Sequence, residues 1–288
     1  AQSGRLEILA LPGTLKRVES EAFAGCKSLE TVTVMKAGIL SAGMFDQAAG
    51  VMVYEKGGRQ EGSAFEAFIY DDFIYDGGII YGRSEDGRYS LLNVPTDHGE
   101  NVVIRKNTVC LDQEAFKDCT LLKEITVPDQ SSLREIKSRC FENCTAVRSL
   151  NFNGADNLGR IGEEAFRSCS DLEALYLPDC LTEISENMCT DCTSLQVVQA
   201  KGAAKVDAEA FLRCGNLLSG GLTLGWEQIT EIGDRAFAFC SLLAQIPDMP
   251  KLQSLGVRSF FSCQRLRSVV LPKLLRSMGE ECFGECGA

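Results

Sequence analysis

One phrase governs what this chain can fold into: an aromatic, two residues, a cysteine, two residues, an aliphatic. Glu164-Ala165-Phe166-Arg167-Ser168-Cys169-Ser170-Asp171-Leu172 is a clear copy. The spacing recurs at Phe23/Cys26/Leu29, Phe116/Cys119/Leu122, Phe141/Cys144/Val147, Phe211/Cys214/Leu217, Phe237/Cys240/Leu243 and Phe260/Cys263/Leu266. Phe283/Cys286 opens a further copy, and Cys189/Cys192/Leu195 keeps the spacing with Cys in the aromatic slot. From Cys119 onward the column cysteines fall 25, 25, 23, 22, 26, 23 and 23 residues apart. Such a period is the signature of a solenoid, in which each unit buries its apolar side only against its neighbours. A single solenoid over residues 1–288 is therefore expected, stopping mid-repeat.

Laid under one another, the copies read L-x-x-I-x-x-x-A-F-x-x-C-x-x-L-x-x-I-x-L-P. Leu158, Ile161, Ala165, Phe166, Cys169, Leu172, Leu175, Leu177 and Pro178 fill every slot. The closing Leu-x-x-Ile-x-Leu has the period of two that predicts a strand with one buried face. Copies of it should pair in parallel as one long sheet. The shorter Leu-x-x-Ile predicts a minor strand on the opposite wall. The run between Ile161 and Cys169 is too short for an isolated helix, so it predicts a helical or 3-10 turn pinned by its Phe. Pro128, Pro178 and Pro272 are expected to stop the strands. Burying each Phe is worth about 1.5–3 kcal/mol, and no single repeat repays its chain entropy alone.

The chain has fourteen cysteines, of which nine belong to the column. Stacked neighbours would lie about 4.8 Å apart with parallel side-chain directions, awkward geometry for a disulfide. Small buried thiols that pack like hydrophobes are the simpler reading. Leu40, Met44, Phe45, Ala48 and Val51 form a degenerate copy with Ala48 in the cysteine slot. The column thus asks for something small rather than for a thiol. The pairs Cys189/Cys192, Cys140/Cys144 and Cys282/Cys286 read as core substitutions, because a zinc site needs a second converging pair. Cys189 in place of Phe predicts a cavity or repacking near Met188.

Residues 55–107 leave the repeat. Alternating aromatics and the turns Asp76-Gly77-Gly78 and Glu85-Asp86-Gly87-Arg88 predict hairpins, with strands near 66–75, 78–83 and 88–94. Tyr70, Tyr75 and Tyr81 on this insertion are candidate partner contacts, as is Trp226 on the lengthened repeat 215–226; packing inside the chain is the competing reading. The outward residues of the long strands should be Thr31, Thr33, Glu124, Thr126, Ser149, Asn151, Ala174, Tyr176, Val197, Gln199, Gln245, Ser268 and Val270. That row is small, weakly polar and nearly uncharged, which suits a protein or an extended peptide.

Other chemistries find little support. A net charge of −11 with scattered basic residues argues against nucleic acid and anionic lipid. No run of about 18 apolar residues is present to insert in a membrane. The one histidine, His98, lies in a turn-rich loop and is expected to be solvated, away from any nucleophile it could activate. No phosphate-cradling glycine loop occurs. No catalytic, cofactor-binding or metal-ligating residue is expected.

The I-G-x-x-A-F-x-x-C-x-x-L-x-x-I-x-L-P copies at 161–178 and 232–246 resemble the BspA-like, Treponema pallidum-type leucine-rich repeats, and weaker copies extend the resemblance over most of the chain. Residues 65–95 look like an insertion of the same family, closing at Pro95. The resemblance implies an α/β solenoid: a right-handed superhelix with a parallel concave β-sheet, short helical or 3-10 turns on the convex side, and a β-hairpin insertion near residues 60–100. It further implies a non-enzymatic adhesion module of a secreted or cell-surface bacterial protein. Such a module would bind another protein or host matrix through the concave sheet or the hairpin. Neither signal nor anchor is read in the chain, which opens Ala1-Gln2-Ser3-Gly4. A structural stalk and an intracellular scaffold are the two other readings, the latter favoured by the many thiols of a cytoplasmic setting.

Overall fold

The computed structural model describes residues 6, 8–19, 22–23, 25–29, 31–35, 40, 52–56, 68–70, 72–76, 78–83, 87–128 and 130–287, apart from the side chains at 52, 54–56, 68–70, 72 and 75. Most of the degenerate copy, residues 44–51, falls outside these. The chain forms two compact units, Ala1–Tyr89 and Ser90–Ala288.

In the first unit, β1 (Ile8–Leu11), β2 (Thr31–Val34), β3 (Met52–Lys56) and β4 (Phe68–Tyr70) make a parallel sheet in that order. Leu9, Val32 and Val53 stand in register across it. Phe23, Leu29, Val32, Val34, Leu40 and Val53 form the core, with Leu9, Leu11, Val18 and Cys26 packed against it. Thr31 and Thr33 do not face outward as expected. Each is only 1% exposed, because β2 is covered on both faces, as strands inside parallel sheets commonly are. The expected hairpin follows: β5 (Asp72–Asp76) and β6 (Ile79–Arg83) pair antiparallel from Asp76↔Ile79 to Asp72↔Arg83. Its two-residue turn holds Gly78 at φ 92°, a conformation that costs glycine little.

The second unit is a parallel β-solenoid of repeats. Its strands are β7 (Tyr89–Asn93), β8 (Asn101–Val103), β9 (Thr108–Leu111), β10 (Glu124–Thr126), β11 (Glu135–Ile136), β12 (Ser149–Asn151), β13 (Arg160–Ile161), β14 (Ala174–Tyr176), β15 (Glu183–Ile184), β16 (Val197–Ala200), β17 (Lys205–Val206), β18 (Leu222–Leu224), β19 (Glu231–Ile232), β20 (Ser254–Leu255) and β21 (Ser277–Met278). The even strands from β8 to β18 form the major wall, as the pair β8–β10 and the run β12–β14–β16–β18. The short strands form the minor wall, as β7–β9–β11–β13 and β15–β17–β19–β20–β21. Both walls match the two strand motifs read in each repeat. Repeats approach closely at the minor wall: a Cβ on Gly162 or Gly233 would lie 2.4–2.5 Å from the backbone nitrogen of Ser138 or Ala208.

Between the walls runs the Ala-Phe-x-x-Cys turn, and here the expectation of a helical or 3-10 turn is overturned. No helix forms among the described residues. Instead the second residue before each Phe slot and the second after it sit at positive φ, between 50° and 63° from Glu114 to Glu285. This alternation sends the N–H groups of every other residue toward the next repeat. Glu164 N–H donates to Glu186 O (3.0 Å), Phe166 N–H to Met188 O (2.9 Å) and Ser168 N–H to Thr190 O (2.9 Å). The same three bonds recur at every interface from the Phe116 turn to the Phe283 turn. Residues between them close short bonds within the turn, such as Arg167 N–H to Glu164 O (3.1 Å). A helix would direct each of those N–H groups back along its own chain, so inter-repeat bonding and helix formation are mutually exclusive here.

The aromatic slot stacks directly. Phe116 and Phe141 lie 4.6 Å apart between centroids, Phe141 and Phe166 5.5 Å, Phe211 and Phe237 5.2 Å, Phe237 and Phe260 5.1 Å, Phe260 and Phe283 5.5 Å. Cys189 interrupts the stack. Met188, fully buried beside it, occupies the slot that is Ala115, Ala165, Ala210 or Ala236 elsewhere. Met188 is therefore a larger side chain beside the position of the missing ring.

Candidate protein-binding face

The major wall of the second unit presents two outward rows. Ser149, Ala174 and Val197 form one by register, and Asn151, Tyr176, Gln199 and Thr223 the other. Between them Leu150, Leu175, Val198 and Leu222 point inward and are at most 3% exposed. Ser149, Asn151 and Thr223 are exposed; Tyr176, Val197 and Gln199 are half-buried. Glu124 and Thr126 are exposed on β10, opposite Asn101 and Val103 of β8. Adjacent rows of a parallel sheet lie about 4.8 Å apart, so the four residues around Tyr176 offer a continuous strip without a charge. Thr223, Asn101 and Val103 were not singled out from the sequence, although Leu222-Thr223-Leu224 carries the alternation that marks a strand.

The wall ends sooner than the repeat pattern implies. Gln245, Ser268 and Val270, expected on the same face, lie outside any strand. Pro247 falls where Tyr176 stands in its own repeat and supplies no N–H to a ladder. Ser219 Oγ instead accepts the N–H groups of Ala244 (2.8 Å) and Gln245 (2.9 Å). With residues 245–247 out of the sheet, the following segment has no strand to pair with, and Val270 is left 70% exposed.

The insertions fare differently from their candidacy. Tyr81 is 1% exposed and meets Tyr89 edge-on at 6.3 Å, so it packs the hairpin and offers nothing to a partner. The side chains of Tyr70 and Tyr75 lie outside the described residues. Trp226 is 8% exposed, with its ring 6.4 Å from Phe237. His98 is half-buried rather than solvated.

All fourteen cysteines are free thiols, and the column does more than fill space. Each column thiol from Cys144 to Cys286 (Cys144, Cys169, Cys192, Cys214, Cys240, Cys263 and Cys286) lies 3.0–3.2 Å from the carbonyl of the preceding repeat's aromatic slot, and donates to it. That carbonyl is also the acceptor for its own repeat's cysteine N–H, as in Cys144 N–H to Phe141 O. The S–H is a weak donor in a buried site. Burial pushes the thiols of Cys144, Cys192, Cys214 and Cys240 well up, and that of Cys263 to about 12. Thiols so placed are poor nucleophiles. Among the described residues, no three His, Cys, Asp or Glu side chains converge as a metal set, and no helix is long and apolar enough to cross a membrane.

Outside the walls, the turns are laced by ion pairs between successive repeats. Arg139 bridges Glu114 and Glu164; Arg213 pairs with Asp191 (2.8 Å), Arg235 with Glu209 (3.0 Å) and Arg258 with Glu281 (2.6 Å). Partial burial pushes the Glu164 carboxyl up, but the guanidinium groups of Arg139 and Arg167 outweigh it and hold the group below its ordinary value.

Comparison with known proteins agrees with this geometry. The chain is similar to a leucine-rich repeat protein from Eubacterium ventriosum, at 14% identity and TM-score 0.59, over 98% of this chain and 83% of that one. It is more distantly similar to a leucine rich cell surface protein from Faecalibacterium prausnitzii (19% identity, TM-score 0.48, 78% of this chain and 61% of that one). A leucine rich repeat protein from T. pallidum matches at 22% identity and TM-score 0.43, over 57% of this chain and 86% of that one. No curated protein matches the chain significantly. The BspA type leucine rich repeat model matches in six copies, over residues 1–47, 96–218 and 222–288. With most of its length in such copies, the chain belongs to the BspA-type leucine-rich repeat family.

Proposed function

We propose that this chain is a non-enzymatic protein-binding module of a secreted or cell-surface bacterial protein, and that it holds its partner against the major wall of the second unit. The observation that carries this reading is the neutral strip Asn151, Tyr176, Gln199 and Thr223, held in register on a rigid sheet and open to solvent. Burying such a strip costs no charge desolvation, whereas burying charged side chains would. Tyr176 gives it one aromatic anchor of the type that dominates interface energetics. A net charge of −11 disfavours polyanionic partners and speeds encounter with basic ones.

The test uses the chain as bait against host matrix proteins and against lysate of its own cell. Tyr176→Ala is expected to lose the captured partner, and Lys123→Ala, a surface change away from the strip, to retain it. Capture that survives Tyr176→Ala and Gln199→Ala together would remove the major wall from consideration. No capture from either source would favour the second reading, a stalk that spaces other domains, which the uninterrupted turn ladder also supports. The location is tested by titrating thiols under denaturing, non-reducing conditions. Fourteen free thiols would fit a reducing or anaerobic setting.

A further inference from the structure

We propose that this chain associates with a second copy of itself, the basic segment 265–276 of one copy docking in an acidic groove on the minor wall of the other. The groove holds about 670 Å³ and runs along the stack from Ser138 to Ser277. It spans seven repeats, from β11 to β21. At one strand spacing per repeat that is about 29 Å, the length of about nine extended residues. The packing of the repeats keeps its floor low. A Cβ on Gly162, Gly233 or Gly256 would lie 2.4–2.5 Å from a backbone nitrogen of the preceding repeat, so no side chain rises there. The lining carries six carboxylates, Glu163, Glu183, Glu186, Asp207, Glu231 and Asp234, and one cation, Arg160. Arg160 already pairs with Glu135 (3.5 Å), and neighbouring Lys205 pairs with Glu183 (3.0 Å) and Asp207 (2.6 Å). Glu163, Glu186 and Glu231 are exposed and meet no cation among the described residues. Glu163 and Glu186 fall in successive repeats, about one strand spacing apart, where like charges repel. Among the described residues no three carboxylates converge to hold a metal ion, so the groove suits cations spread along a chain.

The chain itself supplies such a segment. Residues 249–279 hold six basic residues and no Asp or Glu, in a chain of net charge −11. Four of the six, Arg265, Arg267, Lys273 and Arg276, are exposed and meet no carboxylate among the described residues. The backbone between them is open as well. Residues 267–271 lie outside any strand, and none of their N–H groups makes a backbone hydrogen bond. In a groove rimmed by carboxylates both the cations and these N–H groups find charged acceptors, the stronger kind of hydrogen bond. Residues 268–270 take the place in their repeat that β18 takes in its own, on the wall opposite the groove. The segment therefore meets the groove of another copy rather than that of its own. The net charge of each copy opposes association at long range. At about 0.1 M salt, however, the screening length is about 10 Å, so contact between the opposed patches outweighs it. The contact joins different patches of two copies, so it closes a pair if both contacts form at once and otherwise extends head to tail. It uses neither Tyr176 nor the strip around it, and its failure would leave that reading standing.

Sedimentation velocity on the intact chain reads the association directly. At about 0.1 M NaCl the sedimentation coefficient should rise with protein concentration, and at about 0.5 M NaCl the association should weaken about tenfold or more. Arg267→Glu with Lys273→Glu should abolish it, and so should Glu163→Lys with Glu186→Lys. All four positions are exposed, and circular dichroism should show both variants folded. Mixed in equal amounts, the two variants should form a one-to-one complex that grows no further, because one intact segment meets one intact groove. Tyr176→Ala should leave association unchanged. A chain that stays monomeric up to about 1 mM at the lower salt would overturn the proposal without recourse to any variant. So would association that either charge-reversed variant retains, a mixture of the two that fails to assemble, or association lost in Tyr176→Ala, which would place the contact on the major wall.

Discussion

The turn ladder and the major wall belong to the same repeats, yet they treat irregularity in opposite ways. The ladder carries its three inter-repeat bonds through every interface from Phe116 to Phe283, even across the repeat where Cys189 replaces the aromatic. The wall stops at β18, three repeats before the ladder does, where a proline falls in a strand position. The contrast separates what holds the stack together from what it can vary. A residue at left-handed φ costs about 1–2 kcal/mol unless it is glycine, and this fold places two such residues in each turn with Glu, Arg, Asp, Asn, Ser and even Phe239. That cost is offset only if every N–H so redirected finds its carbonyl. The wall carries no comparable strain, so losing part of it leaves the stack intact and alters the surface offered to a partner.

Removing the stacked ring should do the most damage. Phe166→Ala is expected to cost about 3–5 kcal/mol in urea unfolding, and to be worse than truncating any outward residue of the wall. Cys189→Phe tests the compensation next: alone it should overpack against Met188 and cost about 1–3 kcal/mol. Paired with Met188→Ala it should recover most of that loss by restoring the common Ala-Phe pattern. If the single change stabilises the protein, Met188 does not occupy the vacated volume. Glu164→Gln should cost up to about 1 kcal/mol, the range of partly exposed ion pairs. The sign of its pH dependence is fixed by the lowered pKa: stability is present above the ordinary carboxylate pKa and is lost as pH falls through the folded-state value. The variant should therefore lose stability at neutral pH, flatten the acid limb of a stability–pH curve and converge on the parent protein at acid pH. Pro247→Thr is expected to change stability least, since a gained ladder bond is balanced by a more flexible unfolded chain.

The repeat period, the two strand motifs and the hairpin 72–83 were legible because each rests on apolar spacing or glycine turns, which local chemistry writes openly. The register of Ser149, Ala174 and Val197 followed from the same spacing. The turn conformation was hidden. Glu164, Arg139 and Glu281 are ordinary helix formers, and nothing in them marks a left-handed backbone; only the geometry of stacking demands it. The end of the wall had a visible signal that the pattern obscured. Ile246 fits the apolar column, so the repeat looks complete, while Pro247 beside it breaks the ladder. The burial of Thr31, Thr33 and Tyr81 depends on cover from residues distant in sequence, which alternation within a strand does not record.

Amide hydrogen exchange on the intact chain tests the central contrast most directly. The account predicts strong, even protection for the ladder donors Glu164, Phe166, Ser168, Arg235, Phe237, Phe239 and Phe260, and rapid exchange at Ile246, Asp248 and residues 267–271. Comparable protection at Ile246, Asp248 and residues 267–271, or loss of protection at Arg235, Phe237 and Phe239, would contradict it.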